Sequence, residues 1–251
     1  MHSAHRQSGH QVRFDWGLDG ADAVSTADCL AVLVDVLSFT TTVSVAVDRG
    51  VEVHPYRWAD ESAAAYAEEH DAALAVGRSE ATDGSVSLSP NSLRTVDVPP
   101  ARLVLPSPNG SAIAWRLAQR GSRCIAGCLR NADAIAEWIT THAGDAPVAV
   151  IAAGERWPGG GLRPCLEDVW GAGAVIAALQ RRGRSGLSPE ARSAVAAYDA
   201  RGRVSETLRT CASGAELVDR GFGGDVDIAA EVERSTSVPR LEAGAFTDAG
   251  A

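Results

Sequence analysis

The chain contains no lysine: its 23 basic residues, histidines aside, are all arginine. That excludes a Schiff-base lysine and the lysine of a Walker A loop. There is no CxxC pair, and the five cysteines (Cys29, Cys124, Cys128, Cys165 and Cys211) are odd in number and irregular in spacing. Such a set suits neither a disulfide framework nor a structural zinc site. No apolar run approaches the roughly 18 residues of a membrane span. The opening residues, MHSAHRQSGH, lack the apolar stretch of a signal peptide. A cytoplasmic protein with no membrane partner is therefore expected. The formal charge of −9 is the wrong sign for a nucleic-acid binder, although a local arginine cluster can still hold a small anion. A GxSxG elbow and a GxGxxG following a strand are also missing, and the six histidines show no HxxxH spacing.

What is present is a recurring pattern. LAVLVDV (30–36) reads as a strand, LSFTTT as a turn, and TVSVAVDRG as a short helix stopping at Gly50. RLVLP (102–106), SPNGS and AIAWRLAQRG repeat the order, stopping at Gly121. PVAVIAA (147–153), the longer loop GERWPGGGLRP, and CLEDVWGAGAVIAALQRRG repeat it again, stopping at Gly183. An arginine before a glycine is expected at a helix end, as a cation near the carboxyl terminus followed by a left-handed cap. Strand, loop, helix in repetition implies α/β layers, with ligands beyond the carboxyl ends of the strands.

A first strand is expected at Val12–Trp16 and others at VEVHPYR, AALAVGRS and RCIAG. Helices are expected near Glu61–Glu69, over Ser188–Ala200, through TLRTCASGAELVDRG as one piece, and over Gly224–Arg234. No Pro/Ser-rich linker divides the chain. One domain over 12–241 follows, with loose tails at 1–11 and 242–251. A homodimer is the commonest assembly of soluble chains and is the expectation here.

Three loops carry candidate chemistry. In the first, Asp35 closes an apolar strand and is followed by Ser38, Thr40, Thr41 and Thr42. One hydroxyl suffices to cap a helix; four beside a helix amino terminus also suit an anion cradle. In the second, Asn109-Gly110 favours a tight turn and Ser111 can cap the helix after it. The third brings Glu155, Arg156 and a glycine run, then Glu167 and Asp168 in a first helical turn, where carboxylates favour the dipole. Hard oxygen ligands arriving on separate loops are also what Mg²⁺ takes. A rival lies in CIAGCLR, whose C-x-x-G-x-x-R spacing would make Cys124 a thiolate nucleophile and Arg130 a phosphate clamp. Asn131 follows it at the head of the next helix.

The blocks DVLSFTTT, SPNGSAIA, LRNADAIA, AAGERWPGGGLRPCLEDVWGAGAVI and DVDIAAEVERSTSVPRL, in this order, resemble the 2-phosphosulfolactate phosphatase (ComB) family. The resemblance runs from about Ala31 to Leu241. It implies a layered α/β/α fold with a mixed sheet and a Mg²⁺-dependent phosphatase. That activity converts 2-phosphosulfolactate to sulfolactate on the route to coenzyme M. On this reading Asp35, Glu167 and Asp168 are the metal carboxylates. Ser38, Thr40, Thr41, Thr42, Asn109, Gly110, Ser111 and Asn131 position a small phosphate ester. Arg156 neutralises charge on the phosphoryl group, and Glu155 serves as general base or as a supporting partner of the groups that touch the ester. The family commonly reads DVLRATTT, so a substrate-facing arginine is replaced at Ser38, and its GER block is reduced here to Gly77-Arg78. The phosphate machinery is expected to persist while substrate choice shifts. A cysteine phosphatase and a non-catalytic anion-binding protein are the competing readings.

Overall fold

The computed structural model describes residues 2–57, 60–82 and 84–250. Its elements follow the chain as β1 (Val12–Trp16), α1 (Gly17–Val24), β2 (Leu30–Val34), α2 (Phe39–Asp48), β3 (Glu52–Tyr56), α3 (Glu61–Glu69), β4 (Ala73–Leu74), α4 (Pro90–Thr95), β5 (Arg102–Pro106), α5 (Gly110–Gln119), β6 (Arg123–Gly127), α6 (Ala132–His142) and β7 (Val148–Ala152). A small hairpin, β8 (Glu155–Arg156) and β9 (Leu162–Arg163), precedes α7 (Leu166–Arg181), α8 (Pro189–Asp199), α9 (Val204–Thr210), α10 (Ala212–Asp219) and α11 (Gly223–Ala229). β10 (Pro239–Glu242) and β11 (Ala245–Asp248) close the chain.

Among the described residues, nine strands form one mixed sheet in the order β1-β7-β2-β6-β10-β11-β3-β5-β4. β1, β7, β2 and β6 are mutually parallel, as are β3, β5 and β4. The β10–β11 hairpin joins the two sets through antiparallel pairings on both sides. Period-two alternation explains the layers. Leu30, Val32 and Val34 face a core shared with α6, α7 and α8, while Ala31 and Leu33 face another shared with α2 and α5. All five are fully buried, and each large apolar side chain so placed contributes about 1.5–3 kcal/mol. This is the α/β/α arrangement with a mixed sheet that the sequence implies. No helix among the described residues is long and apolar enough to cross a membrane. The three Arg-Gly helix ends are as expected, with left-handed glycines at Gly50, Gly121 and Gly183 (φ 74°, 71° and 88°).

Several expectations need correction. The chain beyond 242 is not a loose tail: β11 lies inside the sheet between β10 and β3, with Phe246 fully buried. Ala243 and Gly244, both at positive φ, make the two-residue turn that admits it. Nor is the start of the chain loose. A 3-10 turn spans Ser3–Arg6. The amide of buried Gln7 then pairs with the Phe14 backbone, donating to its carbonyl (2.8 Å) and accepting from its N–H (3.1 Å). The single helix expected through TLRTCASGAELVDRG is two helices, because Cys211 is extended (φ −66°, ψ 160°). Its thiol reaches the Leu208 carbonyl at 3.2 Å and Glu167 Oε2 at 3.4 Å, contacts that favour the break. α11 stops at Ala229 rather than Arg234, because the following residues are drawn onto the β6–α6 loop. There Glu233 and Ser235 N–H donate to the Leu129 and Arg130 carbonyls.

Candidate active site

The first loop is built around Asp35. The Asp35 N–H donates to Thr40 Oγ1 (2.9 Å), and that hydroxyl donates back to the Asp35 carbonyl (2.8 Å). Asp35 Oδ1 accepts the Phe39 N–H at 3.1 Å, so the carboxylate itself caps α2. The other hydroxyls are committed to backbone. Thr41 donates to the Val36 carbonyl and Thr42 to the Leu88 carbonyl, each at 2.8 Å. All three threonines are fully buried inside α2. The expectation that they hold an ester is thus replaced: they shape the turn that presents Asp35.

The second loop meets the third despite lying in the oppositely running strand set. A twist of roughly 20–25° between neighbouring strands accumulates across such a sheet. Asn109, after β5, donates from Nδ2 to Glu155 Oε2 at 3.1 Å, after β7. Gly110 lets α5 approach α2 this closely, since a Cβ there would lie 2.4 Å from the Phe39 ring. Ser111 is fully buried and donates to the Leu105 carbonyl at 2.8 Å. Gly110 therefore serves packing, and the Ser111 hydroxyl closes the loop.

Asp168, in the first turn of α7, braces two strand exits. Its Oδ1 accepts the Val36 N–H and its Oδ2 the Gly154 N–H, each at 2.8 Å. Glu167 beside it is 3% exposed and accepts the Cys211 thiol. Asp35, Glu155, Glu167 and Asp168 are close enough to perturb one another. Burial and then the charge of Glu155 push Asp35 up to about 7. Burial, then Asp35 and Glu167, raise Asp168 well above the ordinary carboxylate range, and burial raises Glu155. Negative charge is thus crowded here, relieved in part by Arg163 acting on Glu155 and Arg78 acting on Asp35.

Facing Glu155 is a cleft of ≈ 550 Å³ whose walls include Arg78, Arg156, Arg163 and Arg220. Arg78 is held most firmly. Its Nε donates to Asp225 Oδ2 (3.1 Å), a carboxylate 1% exposed, and its terminal nitrogen donates to the buried Ser38 hydroxyl. Asp225 also accepts from Ser89 Oγ and the Asn91 N–H. Arg163 donates to Ser213 Oγ at 3.0 Å, and Arg220 lies one turn from Glu216 (3.2 Å). Arg78, Arg163, Arg220 and Asp225 were not singled out from sequence. Only Gly77-Arg78, as the remnant of a family block, hinted at one of them.

The other candidates lie elsewhere. Asn131 is fully buried; it accepts the Cys128 N–H (2.9 Å) and donates to the Ala126 and Ser237 carbonyls (3.3 Å each), fixing the β6–α6 loop. It offers nothing to a substrate. Cys124 is fully buried in β6, and burial pushes its thiol up to about 12. Arg130, 3% exposed, is paired with Asp48 (2.8 Å) and Glu231. A buried neutral thiol and a committed arginine overturn the cysteine-phosphatase reading.

For Mg²⁺, the chemistry of the donors fits: oxygen ligands and crowded negative charge. Among the described residues no three His, Cys, Asp or Glu side chains form a ready ligand group. Mg²⁺, however, ordinarily takes one or two carboxylates together with waters and substrate phosphate oxygens. Asp168 already gives both oxygens to backbone donors, which leaves Asp35 and Glu167 as the better-suited ligands.

An acid cluster opposed by arginines at strand ends defines an anion-handling α/β enzyme site, and the comparisons specify its class. A model of the family described as 2-phosphosulpholactate phosphatase matches residues 19–244. A probable 2-phosphosulfolactate phosphatase of Deinococcus radiodurans is 31% identical over 225 residues, covering 88% of this chain and 91% of that one. The 2-phosphosulfolactate phosphatase of Methanothermobacter thermautotrophicus is 29% identical over 84% of this chain and 85% of its own. A probable 2-phosphosulfolactate phosphatase of Thermus thermophilus is 28% identical, over 84% and 87%. The class is that of the phosphoric monoester hydrolases. The chain belongs to the 2-phosphosulfolactate phosphatase family.

Proposed function

We propose that this chain is a Mg²⁺-dependent phosphomonoesterase for a small phosphate ester bearing a further acid group, of the 2-phosphosulfolactate kind. The observation that carries this reading is the four-arginine cleft set against the crowded carboxylates. A phosphoryl group and a second anion need several guanidinium groups, which pair with such oxygens through parallel N–H donors. Arg78, Arg156, Arg163 and Arg220 supply them. Asp225 and Ser38 hold Arg78 in place, and preorganised donors of this kind stabilise charge developing in the transition state.

Asp35 and Glu167 would hold Mg²⁺, with Asp168 bracing the loop that carries Asp35. When bound, the ion polarises phosphoryl oxygens and lowers the pKa of water. Glu155, raised by burial and oriented by Asn109, is the group that moves a proton at the ester oxygen or the attacking water. A role on the route to coenzyme M would follow from the substrate, if that is 2-phosphosulfolactate. The assay is phosphate release from 2-phosphosulfolactate and a panel of phosphomonoesters with Mg²⁺ or EDTA. Release that EDTA abolishes supports the reading. Binding without release from any ester would make the chain an anion-binding module instead.

A further inference from the structure

A second cavity of ≈ 290 Å³ shares Arg156 with the arginine cleft. Its walls are of a different character. Trp16, Leu18, Ile113 and Leu162 line it, and among the described residues its charged lining is Asp19 and Arg156. Resting on the phosphomonoesterase reading above, we propose that this cavity is a subsite for an uncharged, ring-sized substituent on the alcohol portion of the substrate.

Position is the first argument. Arg156 lines both spaces. Asn109 lines the cavity and donates at 3.1 Å to Glu155, which lines the cleft. The border between the two is therefore the candidate proton-transfer group itself. An ester whose phosphoryl and acid groups occupy the arginines and whose organic part enters the cavity passes its scissile oxygen beside Glu155.

Size and chemistry are the second. An apolar cavity of about 150 Å³ accepts benzene, so this one has room for a ring with its linking carbon. Substrate pockets combine apolar walls with a few polar groups for orientation, and this lining carries two charged side chains where the cleft carries six. The walls are already in place. The Trp16 ring meets Phe14 edge-on at 5.6 Å, and Leu162 leans over Gly17, where an added Cβ would come within 3.3 Å of its Cδ1. A three-carbon acid phosphate would fit within the cleft and leave this cavity to water.

The test compares 2-phospholactate with 2-phospho-3-phenyllactate, and the non-hydrolysable phosphonates that replace each ester oxygen with CH₂. Calorimetric Kd values for the phosphonates with Mg²⁺ read the subsite without turnover, and phosphate release from the esters reads the enzyme. The expected result is at least tenfold tighter binding of the phenyl compound. Leu18→Trp, which fills the cavity, should erase that preference. Leu162→Trp, on the exposed hairpin, gives the same readout if the first variant does not fold. Equal binding of the two phosphonates, or a preference untouched by either variant, would overturn the subsite even with both esters hydrolysed. A phenyl preference erased by the variants, with neither ester hydrolysed, would uphold the subsite and overturn the phosphatase reading.

Discussion

Asp35 shows how one side chain takes its chemistry from its surroundings. It ends a strand buried on both faces, caps α2, and shares its space with Glu155 and Glu167. Asp35→Asn keeps an oxygen for the Phe39 N–H but removes one charge from the crowd. It should lower turnover by about 10²-fold or more and raise the melting temperature in EDTA, a gain that added Mg²⁺ narrows by stabilising only the wild type. Asp225 acts at one remove: it holds Arg78 by Nε at 3.1 Å. Asp225→Asn should raise KM for a phosphate ester about tenfold, in line with losing a charged hydrogen bond of about 1.5–3 kcal/mol. Ser89→Ala, which breaks another Asp225 contact, should leave KM alone. The meeting of Asp35, Glu155 and Glu167 was legible in the sequence because each follows a strand end or opens a helix. Arg78 and Asp225 were not, since 147 residues separate partners that only the fold brings together. The threonines misled because a hydroxyl after a strand serves a turn as well as an anion, and the sequence does not say where its hydrogen bond goes.

Between elements, the contact of α2 with α5 sets the distance between the Asp35 and Asn109 loops. Gly110→Ala would press a methyl group into the fully buried Phe39. Overpacking of this kind costs about 1–3 kcal/mol, and activity should fall with the displaced loop, measured as kcat on the folded fraction. A separate junction ties α4, the β6–α6 loop and the chain after α11 through Glu231. The Arg94 hydrogen bond, then the charges of Arg94 and Arg130, hold Glu231 below the usual carboxylate range. Its folded pKa is depressed, so its stabilisation is present above the unfolded value near 4.5 and is lost as pH falls through the folded one. Urea melts should show wild type exceeding Glu231→Gln by about 1 kcal/mol at pH 7. That difference should shrink below about pH 4.5. Arg130→Met should destabilise by about 3 kcal/mol without changing kcat, whereas a phosphate-clamping Arg130 would make the enzyme inactive. Helix ends were readable here from Arg-Gly pairs. The breaks at Cys211 and Ala229 were not, because tertiary contacts overrode local helical pattern.

Across the whole molecule, a chain of charge −9 gathers four arginines at one cleft and four carboxylates beside it. The ordered strand-loop-helix units made the layers readable in advance. The direction of the second strand set was not, since it depends on the β10–β11 hairpin, whose Ala243-Gly244 turn carries a weak sequence signal. That hairpin reverses β3, β5 and β4 relative to β2, and the twisted sheet still brings Asn109 to Glu155. On the function proposed above, the carboxylates form a cation site serving the arginine cleft. The most direct measurement is calorimetric Mg²⁺ titration of wild type, Asp35→Asn and Glu167→Gln, with phosphate release from 2-phosphosulfolactate measured on the same samples. The expected result is a single Mg²⁺ site in the wild type, at least tenfold weaker in each variant, with release lost in parallel. Mg²⁺ binding unchanged by both substitutions, or release that persists without the metal, would contradict it.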